Sequence, residues 1–264
     1  MALATLLTDF GTRDYYVAAV KGVLLCRCPE ARLVDISHDV EPGDIGQGTF
    51  LLTAAAPSFP AGTVHLAVVD PGVGSRRRML AVRAREQLFV APDNGLLSPW
   101  LGEGAVHSIE RPDLYRSAPG STFHGRDRFA PAAAFLLGGG DIRELGPAIG
   151  DGVRSPQPPV KRQPRRLSGS VVHIDRFGNL VTDLPASWLE DRFLEARIGG
   201  HACRRQVACY AELSPGEPGL LVGSLSTLEL SLDGVSLARA WSVQVGAEVE
   251  IVLRPKPRGS GKKG

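Results

Sequence analysis

The sequence predicts an α/β fold: an N-terminal, mostly parallel sheet flanked by helices, followed by a smaller C-terminal β-barrel domain. Three observations carry this expectation. Apolar, strand-like runs alternate with helix-like stretches over residues 3–69. A proline-rich, basic segment, DGVRSPQPPVKRQPRR, occupies residues 151–166 and reads as a linker. Beyond it the pattern changes to short strands with turn residues between them.

Residues 3–8 (LATLLT) read as a buried strand that ends in Asp9-Phe10-Gly11-Thr12. A helix follows from Asp14, with Tyr16, Val20, Val23 and Leu24 on one face and Pro29 just past its end. Residues 32–36 are a strand, 44–56 a helix and 63–69 a strand. Strand, helix, strand, helix, strand implies parallel pairing, and ligands of such sheets sit beyond the carboxyl ends of the strands. Asp9 and Asp70 both fall there. Residues 80–83 and 88–91 read as short strands, and 127–137 as a helix with Phe129 and the alanines inward. After the linker, 168–175, 194–198, 206–211, 220–222, 228–232 and 247–253 read as strands. The expected organisation is a domain over 1–150, the linker, a barrel over 167–255 and a disordered tail over 256–264.

Composition narrows the function. The chain has 264 residues, 43% of them hydrophobic, with Gly 31 and Pro 20: enough for a sizeable core and many turns. Thirty basic against 28 acidic residues leave a net charge of +2, which makes no electrostatic case for nucleic acid. Apolar stretches such as 64–69 are too short to span a membrane. The N-terminus MALATLLTDFG has no basic n-region, so a cytoplasmic location is expected. Cysteines 26, 28, 203 and 209 lack zinc spacing and are expected to be reduced. The six histidines show no metal-binding pairing, and no metal or cofactor is expected.

Four motifs carry candidate chemistry. In VVDPGVGSRRR, Asp70 ends a strand and Pro71-Gly72-Val73-Gly74 makes a turn able to return an arginine to it. On local grounds a structural turn with an exposed basic run serves equally, and a phosphate-cradling loop lacks the required spacing. In STFHGRDRFAP, His124 is a candidate acid-base group followed by Gly125, which permits close backbone approach, and Asp127 stands near a helix N-terminus. In TDFGTRDYY, Asp9 and Asp14 flank a glycine turn. Carboxylates there can accept from paired hydroxyls such as those of a ribose, or cap the following helix, a reading that is strong for Asp14. In IDRFGNLVTD, Asp175 and Asn179 flank Phe177 and Gly178. Asn offers donor and acceptor to a base edge and Phe a stacking face, although the stretch also reads as a plain β-turn. A nucleophilic-serine elbow and a dinucleotide fingerprint are both absent.

Six stretches together resemble one family, the SAM hydroxide adenosyltransferases, relatives of the SAM-dependent fluorinase and chlorinase: LLTDFGTRDYYVAAVKG, VDISHDVEPGDIGQG, FPAGTVHLAVVDPGVGSRRR, APDNGLLSPWL, STFHGRDRFAPAAA and IDRFGNLVTD. They occur in family order and cover most of residues 5–183. The resemblance implies an N-terminal α/β domain, a C-terminal β-barrel, and a homotrimer with its sites at subunit interfaces. It implies S-adenosyl-L-methionine (SAM) as substrate, hydrolysed to adenosine and L-methionine. The catalytic trio maps onto Asp70, Arg77 and His124, with Arg76 and Arg78 excluded only by the family register. Asp9 would hold the ribose hydroxyls, Asp14 the methionine end, and Phe123 would lie beside the ribose. Asp175 and Asn179 would contact the methionine amine and adenine side, Tyr210 would supply an aromatic ring, and Ser224 would face the methionine carboxylate; Phe177, between the first two, is the candidate stacking face. Two departures stand out: GSLS replaces the usual GSSG at 223–226, and Asp233 stands where the family usually has Asn.

The expected chemistry is attack by water or hydroxide at the ribose C5′, with a neutral thioether leaving. An arginine-paired carboxylate is a weaker base, which favours His124 as proton acceptor or electrostatic stabilisation of hydroxide. Two alternatives stay open: a SAM-dependent halogenase, disfavoured because the halogenating relatives lack the Asp-Arg-His set, and a non-catalytic SAM or adenosine sensor. A phosphate-ester hydrolase using the Asp70 loop is more distant.

Overall fold

Every residue of β1 (Leu3–Thr8) is buried, so the strand requires neighbours on both edges and cover on both faces. In the computed structural model, which describes residues 2–117, 120–156 and 158–255, β1 has both. Parallel partners β2 (Arg32–Ser37) and β3 (Val64–Val68) flank it. With β4 (Met79–Ala84), β5 (Gln87–Pro92) and β6 (Gly104–Ser108) they form a six-stranded sheet in the order β2-β1-β3-β5-β4-β6. β5 is parallel to β3, whereas β4 runs antiparallel to β5 and to β6. The β4–β5 turn, Arg85-Glu86, has φ of 49° and 61°, the type I′ signature of a two-residue hairpin.

Three helices cover this sheet: α1 (Tyr16–Arg27), α2 (Ile45–Ala55) and α3 (Ala130–Leu137). Strand side chains alternate between faces. Leu6, Leu66 and Val68 pack with Val23 and Leu24 of α1 and Ala133 of α3. Leu7, Ala67 and Val69 pack with Leu52 of α2, Phe89 and Trp100. Asp44 caps α2 by accepting from Gln47 N at 2.8 Å.

Two helix starts differ from expectation. α1 begins at Tyr16 with no side-chain cap, so Asp14 is not its N-cap and is exposed. The Tyr16 ring packs edge-on against Phe10 and Phe123, at 6.1 and 5.2 Å between centroids, and this packing sets the entry. The helix expected over 127–137 opens instead as a π-type turn, Gly125–Phe129, before α3. Pro131 is the reason. It has no N–H for the Asp127 carbonyl four residues back, and that carbonyl accepts from Arg116 N at 2.9 Å.

The chain divides into two compact units, Met1–Pro156 and Gln157–Gly264. Residues 151–156 are fastened within the first: Asp151 pairs with Arg78, and Val153 N donates to Asp93 at 2.7 Å. The second unit contains β7 (Lys161–Gln163), β8 (Arg166–Ile174), β9 (Leu180–Pro185), β10 (Phe193–Ile198), β11 (His201–Cys203), β12 (Arg205–Gln206), β13 (Gly219–Val222), β14 (Thr227–Ser231) and β15 (Glu248–Leu253). They form a nearly closed, barrel-like sheet in the order β11-β10-β15-β8-β9-β14-β13-β12, with β7 paired to β8. Leu167, Val171, Leu180, Leu230 and Ile251 are fully buried inside it, and α4 (Leu237–Trp241) adds Leu237.

The expected strand over 206–211 is reduced to Arg205–Gln206, after which the chain turns at Tyr210–Glu212. Val207 N still reaches across to the Leu220 carbonyl at 2.9 Å, but beyond it Glu212 accepts from Ala208 N at 2.9 Å and Arg205 donates to the Glu212 carbonyl, so the turn is held locally. β9 follows the IDRFGN turn directly and is absent from the sequence reading. The expected tail, 256–264, lies outside the described residues.

Candidate active site

Asp70 follows β3 at its carboxyl end. Val73 N donates to the Asp70 carbonyl at 3.2 Å, Ser75 N to the Gly72 carbonyl at 3.1 Å and Arg77 N to Ser75 Oγ at 3.2 Å. This hydrogen-bonded turn folds the arginine back onto the aspartate. Arg77 Nε donates to Asp70 Oδ1 at 2.7 Å and to Oδ2 at 2.9 Å, and Nη2 also donates to Oδ2. Both side chains are shielded, at 4% exposure for Asp70 and 9% for Arg77, and the guanidinium lies 5.1 Å from the Phe129 ring centroid. Of the three consecutive arginines, Arg76 is exposed and Arg78 pairs with Asp93 and Asp151. Geometry therefore selects Arg77.

His124 completes the cluster from the segment that opens the π-type turn. Arg77 Nη2 donates to His124 Nδ1 at 3.0 Å. Arginine can only donate, so Nδ1 is an acceptor and the ring proton sits on Nε2. Burial, followed by the positive charges of Arg128 and Arg77, holds the imidazole below the usual histidine range. The ring is a neutral donor: Nε2 is buried and has no partner among the described residues. In this arrangement the Nδ1 lone pair, the one a neutral ring offers to a proton, is engaged by Arg77.

Asp9 sits at the carboxyl end of β1, on the same edge of the sheet. Its Oδ2 accepts from Gly43 N at 2.9 Å, and Gly43 abuts Pro71, the residue after Asp70. Gly11 N donates to the His38 carbonyl at 2.7 Å, which secures the other side of the loop. Phe10 and Phe123 meet at 5.9 Å, joining the β1 loop to the His124 segment, and Arg126 stacks over Phe123 at 4.9 Å. Asp9, Phe123 and the trio thus occupy three loops gathered at one sheet edge. Asp14 lies in the exposed stretch before α1.

In the second unit, Asp175, Phe177, Asn179 and Tyr210 line one cleft of about 400 Å³ with Ser231 and Asp233. The β8–β9 turn is held by Asp175: Oδ1 accepts from Phe177 N and Asn179 N at 2.9 Å each, and Oδ2 from Asn179 Nδ2 at 2.9 Å. Ser231 Oγ donates to Asn179 Oδ1 at 2.5 Å. Gly178 has φ of 87°, and a β-carbon there would lie 2.0 Å from Ser236 Oγ, so only glycine fits. Phe177 is 76% exposed and offers an open ring. Ser224 is exposed in the β13–β14 turn and is not among the residues lining the cleft.

Several contributors leave little mark on the sequence. Phe129 reads as a packing residue, yet it also backs Arg77. Gly43 and Ser231 act through a backbone N–H and a hydroxyl that no pattern announces. Glu229, whose carboxylate accepts from Tyr210 Oη at 2.5 Å, carried a signal: an acidic residue inside an otherwise apolar strand.

The chain is similar to known proteins over nearly its whole length. A model of the SAM hydroxide adenosyltransferase N-terminal domain matches residues 4–146, and one of the C-terminal domain matches residues 169–250. A protein of Salinispora arenicola named (R)-S-adenosyl-L-methionine hydrolase is 36% identical over 250 residues, covering 92% of this chain and 95% of that one. A protein of the same name from Thermus thermophilus is 37% identical over 265 residues, covering 93% and 98%. A crystal structure of an uncharacterized conserved protein from Thermotoga maritima superposes with a TM-score of 0.89 at 31% identity, covering 95% of this chain and 99% of that one.

Proposed function

The chain belongs to the SAM hydroxide adenosyltransferase family, and from that premise we propose that it hydrolyses S-adenosyl-L-methionine to adenosine and L-methionine. Oxygen from water bonds to the ribose C5′, the C5′–S bond breaks, its electron pair leaves with the methionine sulfur, and one proton of the water is released. Sulfur departs as a neutral thioether, so no acid is required there. What the reaction requires is an oriented, activated oxygen.

The observation that carries this reading is the closed Asp70–Arg77–His124 cluster at the carboxyl edge of the sheet. Asp70 is the acceptor of the trio and orients a water O–H. Arg77 is a cation fixed on three sides, by Asp70, His124 and Phe129, and favours hydroxide as it forms. His124 offers its Nε2–H to the same oxygen. Asp9 takes the ribose hydroxyls, with Phe123 beside the ribose and Asp14 towards the methionine end. In the second unit, Asp175, Phe177, Asn179, Tyr210 and Ser224 take the methionine amine, adenine and carboxylate. SAM is the substrate, and no further cofactor has a role in this scheme.

We read the assembly as a homotrimer in which a site draws on two subunits; the division of the candidate residues between two compact units supports it. Mixing Asp70→Ala chains with Asp175→Ala chains should restore activity that neither has alone, and failure to complement removes the shared site. The reaction itself is tested by product analysis in oxygen-18 water. Adenosine labelled at the 5′-hydroxyl is expected. A 5′-halo-5′-deoxyadenosine formed with added halide would make the chain a halogenase, and intact SAM after long incubation would make it a sensor.

A further inference from the structure

Glu229 has no role in the reaction just described, yet it occupies an expensive position. It lies in the middle of β14, between Leu228 and Leu230, and is 6% exposed. Burying a carboxylate without a partner is unfavourable. The partner that the structure supplies is a neutral phenol: Tyr210 Oη donates to Oε1 at 2.5 Å. The other oxygen faces the backbone of Gly223, where a β-carbon would come within 2.9 Å of Oε2. Both ends of the carboxylate are therefore confined.

Tyr210 is the opposite case. It stands in a three-residue turn, is 51% exposed as a residue, and forms part of the wall of the second unit's cleft. An aromatic ring so placed turns about its side-chain torsions unless its far end is held. Glu229 holds it.

We propose that Glu229 is a positioning residue of the substrate cleft, acting through Tyr210: its buried carboxylate accepts the phenol hydrogen and so fixes the ring against which the substrate packs. This rests on the reading that the cleft receives part of SAM. The preorganised ring lowers the entropy lost on binding, so the effect falls on substrate affinity rather than on the step at C5′.

Four variants test it. Glu229→Leu removes the acceptor and keeps the volume, Glu229→Gln keeps an oxygen acceptor and removes the charge, Tyr210→Phe removes the donor, and Tyr210→Phe/Glu229→Leu removes both. The KM for SAM is expected to rise about tenfold in Glu229→Leu and in Tyr210→Phe, with kcat within about twofold of the parent. The double variant should be no worse than the worse single, and Glu229→Gln should stay within about threefold of the parent. Additive effects, an unchanged KM in Tyr210→Phe, or a Glu229→Gln as impaired as Glu229→Leu overturns the proposal. So does a lowered Tm with kcat reduced and KM unmoved, the pattern of a purely structural role. If Glu229→Leu fails to fold, Tyr210→Phe and Glu229→Gln still decide. If the parent chain forms no adenosine, the hydrolase reading fails on its own. The same comparison then runs on the calorimetric Kd for SAM, where coupling supports the pair and its absence overturns it.

Discussion

In the first unit the buried carboxylate of the candidate site meets a cation: Asp70 is forked by Arg77, which also reaches His124 and rests on Phe129. In the second unit the carboxylates of Asp175, in the cleft wall, and Glu229, behind Tyr210, meet neutral groups. Asp175 takes backbone N–H groups and the Asn179 amide, and Glu229 takes a phenol. Burial, with Asp175 adding to it, pushes the Glu229 carboxyl above the usual range. The difference separates two tasks. A network closed on itself has a geometry that does not depend on ligand, which suits a group that must hold a reacting oxygen. On the proposed function, Asp175, left without a cation, keeps its attraction for one, and SAM brings two, an ammonium and a sulfonium.

The contrast breaks most sharply at Asp70. Asp70→Ala should lower adenosine formation by about a thousandfold, while the Kd for SAM stays within about threefold. A parallel loss of affinity would show that the first unit also does the binding, and retained turnover would remove Asp70 from the chemistry. Arg77→Lys preserves the charge but not the planar fork that serves Asp70 and His124 together, and a fall in kcat of about a hundredfold is expected. If lysine supports near-normal rates, charge alone suffices and the closed network is unnecessary.

The units should also part in their response to acid. Burial holds His65, inside the strand that leads to Asp70, down to about 4, whereas an unfolded histidine protonates near 6.5. Between these values the unfolded chain binds more protons, so stability is full above about pH 6.5, falls as pH drops and levels off below about 4. The loss is about 3 kcal/mol, and His65→Gln should abolish it. Calorimetric scans across this range should move the transition of the first unit, and a pH-independent transition would sink the prediction. Last, Gly178→Ala forces a β-carbon onto Ser236 in a left-handed turn. It should cost about 2 kcal/mol in denaturant unfolding and raise the KM for SAM without changing kcat. A lowered kcat would tie the hairpin to the chemistry and blur the division.

Much of this was legible in the chain. Apolar runs at strand spacing placed β1, β2 and β3, and so located Asp9 and Asp70 at one sheet edge. The Asx-rich turn IDRFGN was visible as a turn because Asp, Gly and Asn each have a local reason to be there. Local rules misled where distant groups intervene. Asp14 resembles a cap, but α1 starts where Tyr16 meets Phe10 and Phe123. Residues 206–211 read as a strand bounded by turn signals, but past Val207 the chain turns at Tyr210–Glu212, held by Arg205 and Glu212.

By itself, then, the sequence determined the class of fold, the order of its elements and the two aspartates at strand ends, because periodicity and turn chemistry act over a few residues. Only the tertiary structure decided which of three adjacent arginines faces Asp70, that Arg77 also reaches His124 Nδ1, and that the Tyr210 phenol meets Glu229. Each of those depends on a partner between seven and 47 positions away in the chain, where hydrogen-bond direction and burial are set by packing and leave no local mark on the sequence.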